Sequence, residues 1–213
     1  MMREKRVFFD CGEIKLEGAL SSAKSNRPQL GVIVCHPHPQ YGGNMHNNVV
    51  VGITRKLSAN GFVTLRFNFR GAGASGGSYG GGKEEFKDIK SAIDFLDRTD
   101  MVIKDSLFLV GYSFGAVVGL PVAVEDERVM GFIGISPPVA MYDFGFLKES
   151  FKPKLIIYGD SDFVCPVERA KELFTSLEEP KSLGVIADGD HFLWGKEETI
   201  AEHVLHFMNK FQK

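Results

Sequence analysis

Gly111-Tyr112-Ser113-Phe114-Gly115 is the stretch on which the reading of this chain turns. It follows an apolar run, Leu107 to Val110, that predicts a buried strand. A small-residue apolar stretch, Ala116 to Ala123, comes next and predicts a helix. A serine at such a strand-to-helix turn is held in a strained backbone conformation, so the residues two before and two after it must lack bulk. Its side chain then stands exposed at the carboxyl end of the strand. The amide of Phe114 faces the same space, at a helix N-terminus where partial positive charge gathers. The plainer alternative is a Gly-flanked serine in an ordinary turn, and the flanking strand and helix tell against it.

Working outward, apolar runs recur at Leu30 to Cys35, Phe62 to Phe67, Ser106 to Tyr112, Val129 to Ile135, Leu155 to Tyr158 and Leu183 to Ile186. Continuous runs of this kind suit strands covered on both faces. Val7 to Phe9 and Ile14 to Leu20, around the turn Asp10-Cys11-Gly12, read as an antiparallel edge hairpin. Helices are predicted from about Asn47 to Ala59 and from about Pro166 to Leu177, with Pro166 in the first turn. Two more follow from helical spacing, one through Phe86, Ile89, Ile93 and Leu96, the last through Ile200, Val204, Phe207 and Phe211. The alternation implies an α/β fold, with one mostly parallel sheet, an N-terminal antiparallel edge hairpin and helices on both faces. In such sheets the site lies at the carboxyl ends of the strands.

The 213 residues suit one domain, 1–213, with a full-sized core. Lys and Arg number 25 against 27 Asp and Glu, so neither a basic face for nucleic acid nor a polybasic membrane patch is expected. The opening residues MMREKRVFFD carry positive charge without a long apolar stretch after them, which is unlike a secretory signal. No apolar run is long enough to span a bilayer. Cys11, Cys35 and Cys165 are odd in number and widely spaced, which argues against a disulfide framework and for a reduced, cytoplasmic home.

A serine hydroxyl needs a base, which histidine supplies near neutral pH, and the imidazole needs a carboxylate to fix its tautomer. Of six histidines, His191 alone sits on a loop after a late strand. Asp160, Asp162, Asp188 and Asp190 all lie on loops that qualify for the acid. Asp160 follows its strand closely, and Asp188 and Asp190 adjoin His191, so Asp162 is chosen with Asp160 as the residual choice. Acyl transfer also needs two donors for the oxyanion. Phe114 supplies one amide. Pro37 and Pro39 have no amide hydrogen, so His38 is the donor expected from the loop after Cys35, through its backbone.

These segments together resemble an α/β-hydrolase, specifically its small, cap-poor serine members related to dienelactone hydrolase, and the resemblance covers nearly the whole chain. CHPHPQYGGNMHNNVV resembles the oxyanion loop and first helix of a bacterial branch of that family, and FNFRGAGASGG the loop after its next strand. GDSDFVCP matches the acid loop, in which the second aspartate is the catalytic one, and DHFLWG the histidine loop. The family order of serine, acid and histidine is kept by Ser113, Asp162 and His191. Dienelactone hydrolase itself is similar but uses cysteine where this chain has Ser113. The resemblance implies an esterase acting on small carboxylic esters or thioesters, with no cofactor and no metal. A small-molecule ester is the expected partner; a homodimer is one assembly open to the chain, whose oligomeric state the sequence does not set. A peptidase or lactone hydrolase on the same triad, or a non-catalytic binding protein on the same scaffold, are the alternatives.

Two motifs compete with that reading. Gly71-Ala72-Gly73-Ala74-Ser75-Gly76 matches G-x-G-x-x-G after a strand, but Gly77 to Gly82 intervene before the next helix, so a flexible surface loop is the better account. His36, His38 and His46 have some of the character of a metal site, and the two prolines make His36 a hydrogen-bonded structural residue instead. Tyr41, Arg70, Phe163 and Trp194 are the candidate substrate contacts, with Arg70 equally suited to anchoring its own loop. Residues 137–153 are too few for a large lid. An open, shallow site preferring short acyl chains is expected.

Overall fold

In the computed structural model, which describes residues 3–212, eight strands form one sheet. Met1, Met2 and Lys213 lie outside the described residues, so the first two positions of the N-terminal stretch read above are not covered. β1 (Arg3–Cys11) and β2 (Ile14–Ser22) form the expected antiparallel hairpin, turning at Gly12. The strands β3 (Gln29–Cys35), β4 (Val63–Phe67), β5 (Val102–Tyr112), β6 (Val129–Ile135), β7 (Lys154–Gly159) and β8 (Lys181–Ile186) complete it. Their order is β1-β2-β4-β3-β5-β6-β7-β8, antiparallel between β1, β2 and β4 and parallel from β4 onward.

The helices divide between the two faces. α1 (Asn48–Ala59) and α5 (Glu197–Met208) bury Val50, Ile53, Leu57, Ile200 and Val204 with Val32, Val34 and Val110. α2 (Glu85–Asp97) and α3 (Phe114–Glu125) bury Ile89, Ile93, Leu96 and Val118 with Ile33, Leu65 and Leu109 on the other face. With both faces covered, the inner strands carry apolar residues at successive positions rather than alternate ones, which is why their sequence is nearly all hydrophobic. Asn47 caps α1 by accepting the amides of Val49 and Val50. α4 (Val167–Ser176) starts one residue later than expected, because Pro166 stands at its cap, with an extended ψ of 138°. Phe211 packs on the core just beyond the end of α5.

β5 is longer than its apolar run. Val102 pairs with Gln29, and the register then shifts before Leu107 pairs with Val129 and Gly31. The polar residues Lys104, Asp105 and Ser106 span that irregularity, with Asp105 in the left-handed region at φ 55°. Residues 137–153 do not roof the sheet. Phe144 and Leu147 are buried in the core on the α3 face, leaving Met141 and Tyr142 exposed toward Ser113.

Candidate active site

β5 delivers Ser113 to the edge of the sheet and α3 begins at the next residue. Ser113 sits at φ 51°, ψ −113°, the strain expected of a serine pushed out at a sharp turn. The two flanking glycines are required by space. A Cβ on Gly111 would meet the Gly115 carbonyl oxygen at 2.5 Å, and one on Gly115 would meet that of Cys35 at 2.4 Å. The Ser113 amide donates to Ile135 O, tying the turn to the end of β6.

Three side chains from three strand ends meet here. Ser113 Oγ lies 2.9 Å from His191 Nε2, and His191 Nδ1 lies 3.0 Å from each Asp162 oxygen. With Nδ1 donating to the carboxylate, Nε2 is left to accept the Ser113 proton. Asp162 is buried, which by itself would raise its pKa. The hydrogen bond and charge of His191, the Cys165 amide and the nearby Ser136 hydroxyl outweigh burial and hold the carboxyl below its ordinary value. Asp162 Oδ1 also accepts the amides of Val164 and Cys165, each at 2.8 Å, so the acid loop is wrapped around its own carboxylate. Asp160 is exposed, and among the described residues its side chain accepts from the neighbouring Ser161 hydroxyl and not from His191.

Asp190 has a different task from the one weighed for it. Its Oδ1 accepts the amides of Phe192 and Leu193 and so closes the turn that carries His191. Tyr112 is the contributor that sequence reasoning passed over. Its hydroxyl donates to His191 O at 2.7 Å, locking the histidine loop to the elbow strand. The only signal was its place as the first variable residue of the G-x-S-x-G stretch.

The loop after β3 faces Ser113 from the other side. His36 is buried, its Nδ1 donating to Pro37 O at 2.6 Å and its Nε2 accepting the Phe69 amide at 3.1 Å. Burial holds its pKa down to about 4 despite the Pro37 carbonyl, and with both nitrogens engaged it has no lone pair for a metal. His38 Nδ1 accepts the Gln40 amide, so Nε2 donates to the Tyr79 hydroxyl at 3.1 Å. The His38 ring also packs on Phe114 and Tyr41, with centroids 4.7 Å away in each case. Partial burial lowers the pKa of this imidazole. Neither the Phe114 nor the His38 amide has an acceptor among the described residues. Both residues line the cleft at Ser113.

That cleft holds about 900 Å³. Tyr41, Phe163 and Trp194 line it, together with Tyr142 and Phe192. Arg70 does not. Its guanidinium bonds Asp88 Oδ1 at 2.6 Å and Glu84 at 3.1 Å, and its amide donates to Asp88, so it anchors its own loop. The glycine-rich stretch is likewise tied down rather than flexible. Gly71 N donates to Gly76 O, Ala74 N to Glu17, and the amides of Gly80 and Gly82 to Glu85. Amides occupied in this way are withdrawn from any phosphate, and α2 opens only at Glu85.

The fold and the cleft-lining serine on its elbow define an α/β serine hydrolase without a lid. The chain belongs to the family described as serine aminopeptidase, S33, which matches residues 26–148. It is 32% identical to an uncharacterised protein of Rickettsia prowazekii over 97% of this chain and 90% of that one. A lid-less α/β serine hydrolase from Xanthomonas campestris superposes with a TM-score of 0.86 at 28% identity, over 99% of this chain and 95% of the other. An α/β serine hydrolase homologue from Coxiella burnetii does so at 0.86 and 32% identity, over 95% and 96%. No helix among the described residues is long and apolar enough to cross a membrane.

Proposed function

We propose that the chain hydrolyses small carboxylic esters or thioesters through Ser113, His191 and Asp162. The observation that carries this reading is the unbroken hydrogen-bonded line from Asp162 through His191 to the half-buried Ser113 hydroxyl at the cleft. His191 Nε2 takes the Ser113 proton as Oγ attacks the substrate carbonyl. The amides of Phe114 and His38 hold the oxyanion that forms. The tetrahedral adduct collapses, the bond from carbon to the leaving atom breaks, and His191 returns the proton to the departing alcohol or thiol. Water then gives a proton to His191, attacks the acyl-enzyme and frees the acid, restoring Ser113. No step needs a cofactor.

The family's description makes peptidase action the second reading. An aminopeptidase must receive a substrate ammonium, and among the described residues lining the cleft none is Asp or Glu. That favours the ester. The experiment is a panel of nitrophenyl esters, thioesters, lactones and aminoacyl amides, run on the wild type and Ser113→Ala. Ester turnover abolished by the substitution is expected. Faster cleavage of aminoacyl amides than of esters, or full turnover by the variant, overturns the reading.

A further inference from the structure

The tetrahedral adduct on Ser113 leaves little freedom in where its groups point. The oxygen faces the Phe114 and His38 amides, and the leaving atom must lie within reach of His191 Nε2, which protonates it. Whatever surrounds His191 therefore surrounds the leaving group.

Beside the buried Tyr112 ring, 6.4 Å away, two accessible rings flank that imidazole. The Phe163 centroid is 6.4 Å from it and the Phe192 centroid 6.1 Å. Each ring is the immediate chain neighbour of a triad member, Asp162 or His191, so each is carried on backbone already fixed by hydrogen bonds. Yet Phe163 is 71% exposed, Phe192 55% and nearby Trp194 72%. Rings carried on a fixed backbone and left in water offer apolar area for a bound molecule to cover. Among the described residues lining the cleft none is Asp, Glu, Lys or Arg. A charged leaving group there would lose water and gain no ionic partner.

We infer that Phe163 and Phe192 form a leaving-group clamp selecting esters of uncharged alcohols that carry an aryl or similarly bulky apolar group. The inference rests on the serine-hydrolase reading above. A short acyl group remains compatible with it.

The test compares benzyl acetate, ethyl acetate and 4-carboxybenzyl acetate, which share an acyl group. The wild-type kcat/KM for benzyl acetate should exceed that for ethyl acetate by roughly tenfold, the gain from covering one apolar ring. The carboxylated ester should lose that gain. In the double variant Phe163→Ala, Phe192→Ala the benzyl-to-ethyl ratio should fall toward one. Both side chains are exposed, so the variant should melt near the wild-type Tm. A wild-type ratio near one, a carboxylated ester as fast as the benzyl ester, or a ratio that survives the double substitution overturns the clamp. In those cases ester turnover still supports the hydrolase reading. If no ester is cleaved and a fluorophosphonate leaves Ser113 unlabelled, both fall together.

Discussion

The two walls of the cleft follow opposite plans. On the wall built from residues 36–47, Tyr41 stands in solvent but the side chains of His36, His38 and Asn47 are spent internally. His36 bonds Pro37 O and the Phe69 amide, His38 bonds Tyr79 and the Gln40 amide, and Asn47 caps α1. The facing wall of Met141, Tyr142, Phe163, Phe192 and Trp194 leaves its large side chains to solvent. A wall whose buried polar groups are satisfied holds the His38 amide in fixed position. A wall of bare rings has area to give to a substrate. Position belongs to the first and selection to the second.

The largest effect comes from cutting the line that joins them. Ser113→Ala or His191→Ala should each lower kcat by on the order of 10⁴-fold or more, read by nitrophenyl acetate hydrolysis. Next, the positioning wall can be stripped of one donor without moving its backbone. His38 sits at φ −57°, a value proline also adopts. His38→Pro should therefore turn over about 10²-fold or more below His38→Ala, which loses the ring but keeps the amide hydrogen. Equal rates in the two variants would mean that the oxyanion finds its second donor elsewhere.

Tyr112→Phe should cost less, up to roughly tenfold in kcat with KM little changed, since one hydrogen bond to the histidine loop is lost. The last prediction concerns stability rather than rate. His36 titrates near 4 in the folded chain against 6.5 for an ordinary imidazole. Between those values the unfolded chain binds more protons, so stability rises with pH across that window and is complete above it. Up to about 3 kcal/mol should be lost on acidifying from pH 7 to 4 through this residue alone. Asp162, whose pKa is lowered, loses its contribution as pH falls through the carboxylate range, in the same direction. Urea melts of His36→Gln across this range should show a shallower fall than the wild type.

Much of this was legible in the sequence because the fold puts chemistry at strand ends. The apolar run before Gly111 and the two strands before Asp162 and His191 each announce where a loop leaves the sheet, and the loops supply the side chains. What stayed hidden depends on partners distant along the chain. Arg70 reads equally as anchor or contact until Asp88, in the first turn of α2, is seen to hold it. The glycine-rich loop looks free because Glu17 and Glu85, which bind its amides, carry no local signature. The polar start of β5 hides because Lys104 to Ser106 break the apolar pattern at a register shift. The role of Tyr112 emerges only when the His191 loop folds back over the elbow strand.

Peptide mapping after treatment with a fluorophosphonate tests the account most directly. One adduct, on Ser113, formed fast in the wild type and much more slowly in His191→Ala, is the predicted result. A folded protein that stays unlabelled, or that carries its adduct on another residue, would contradict it.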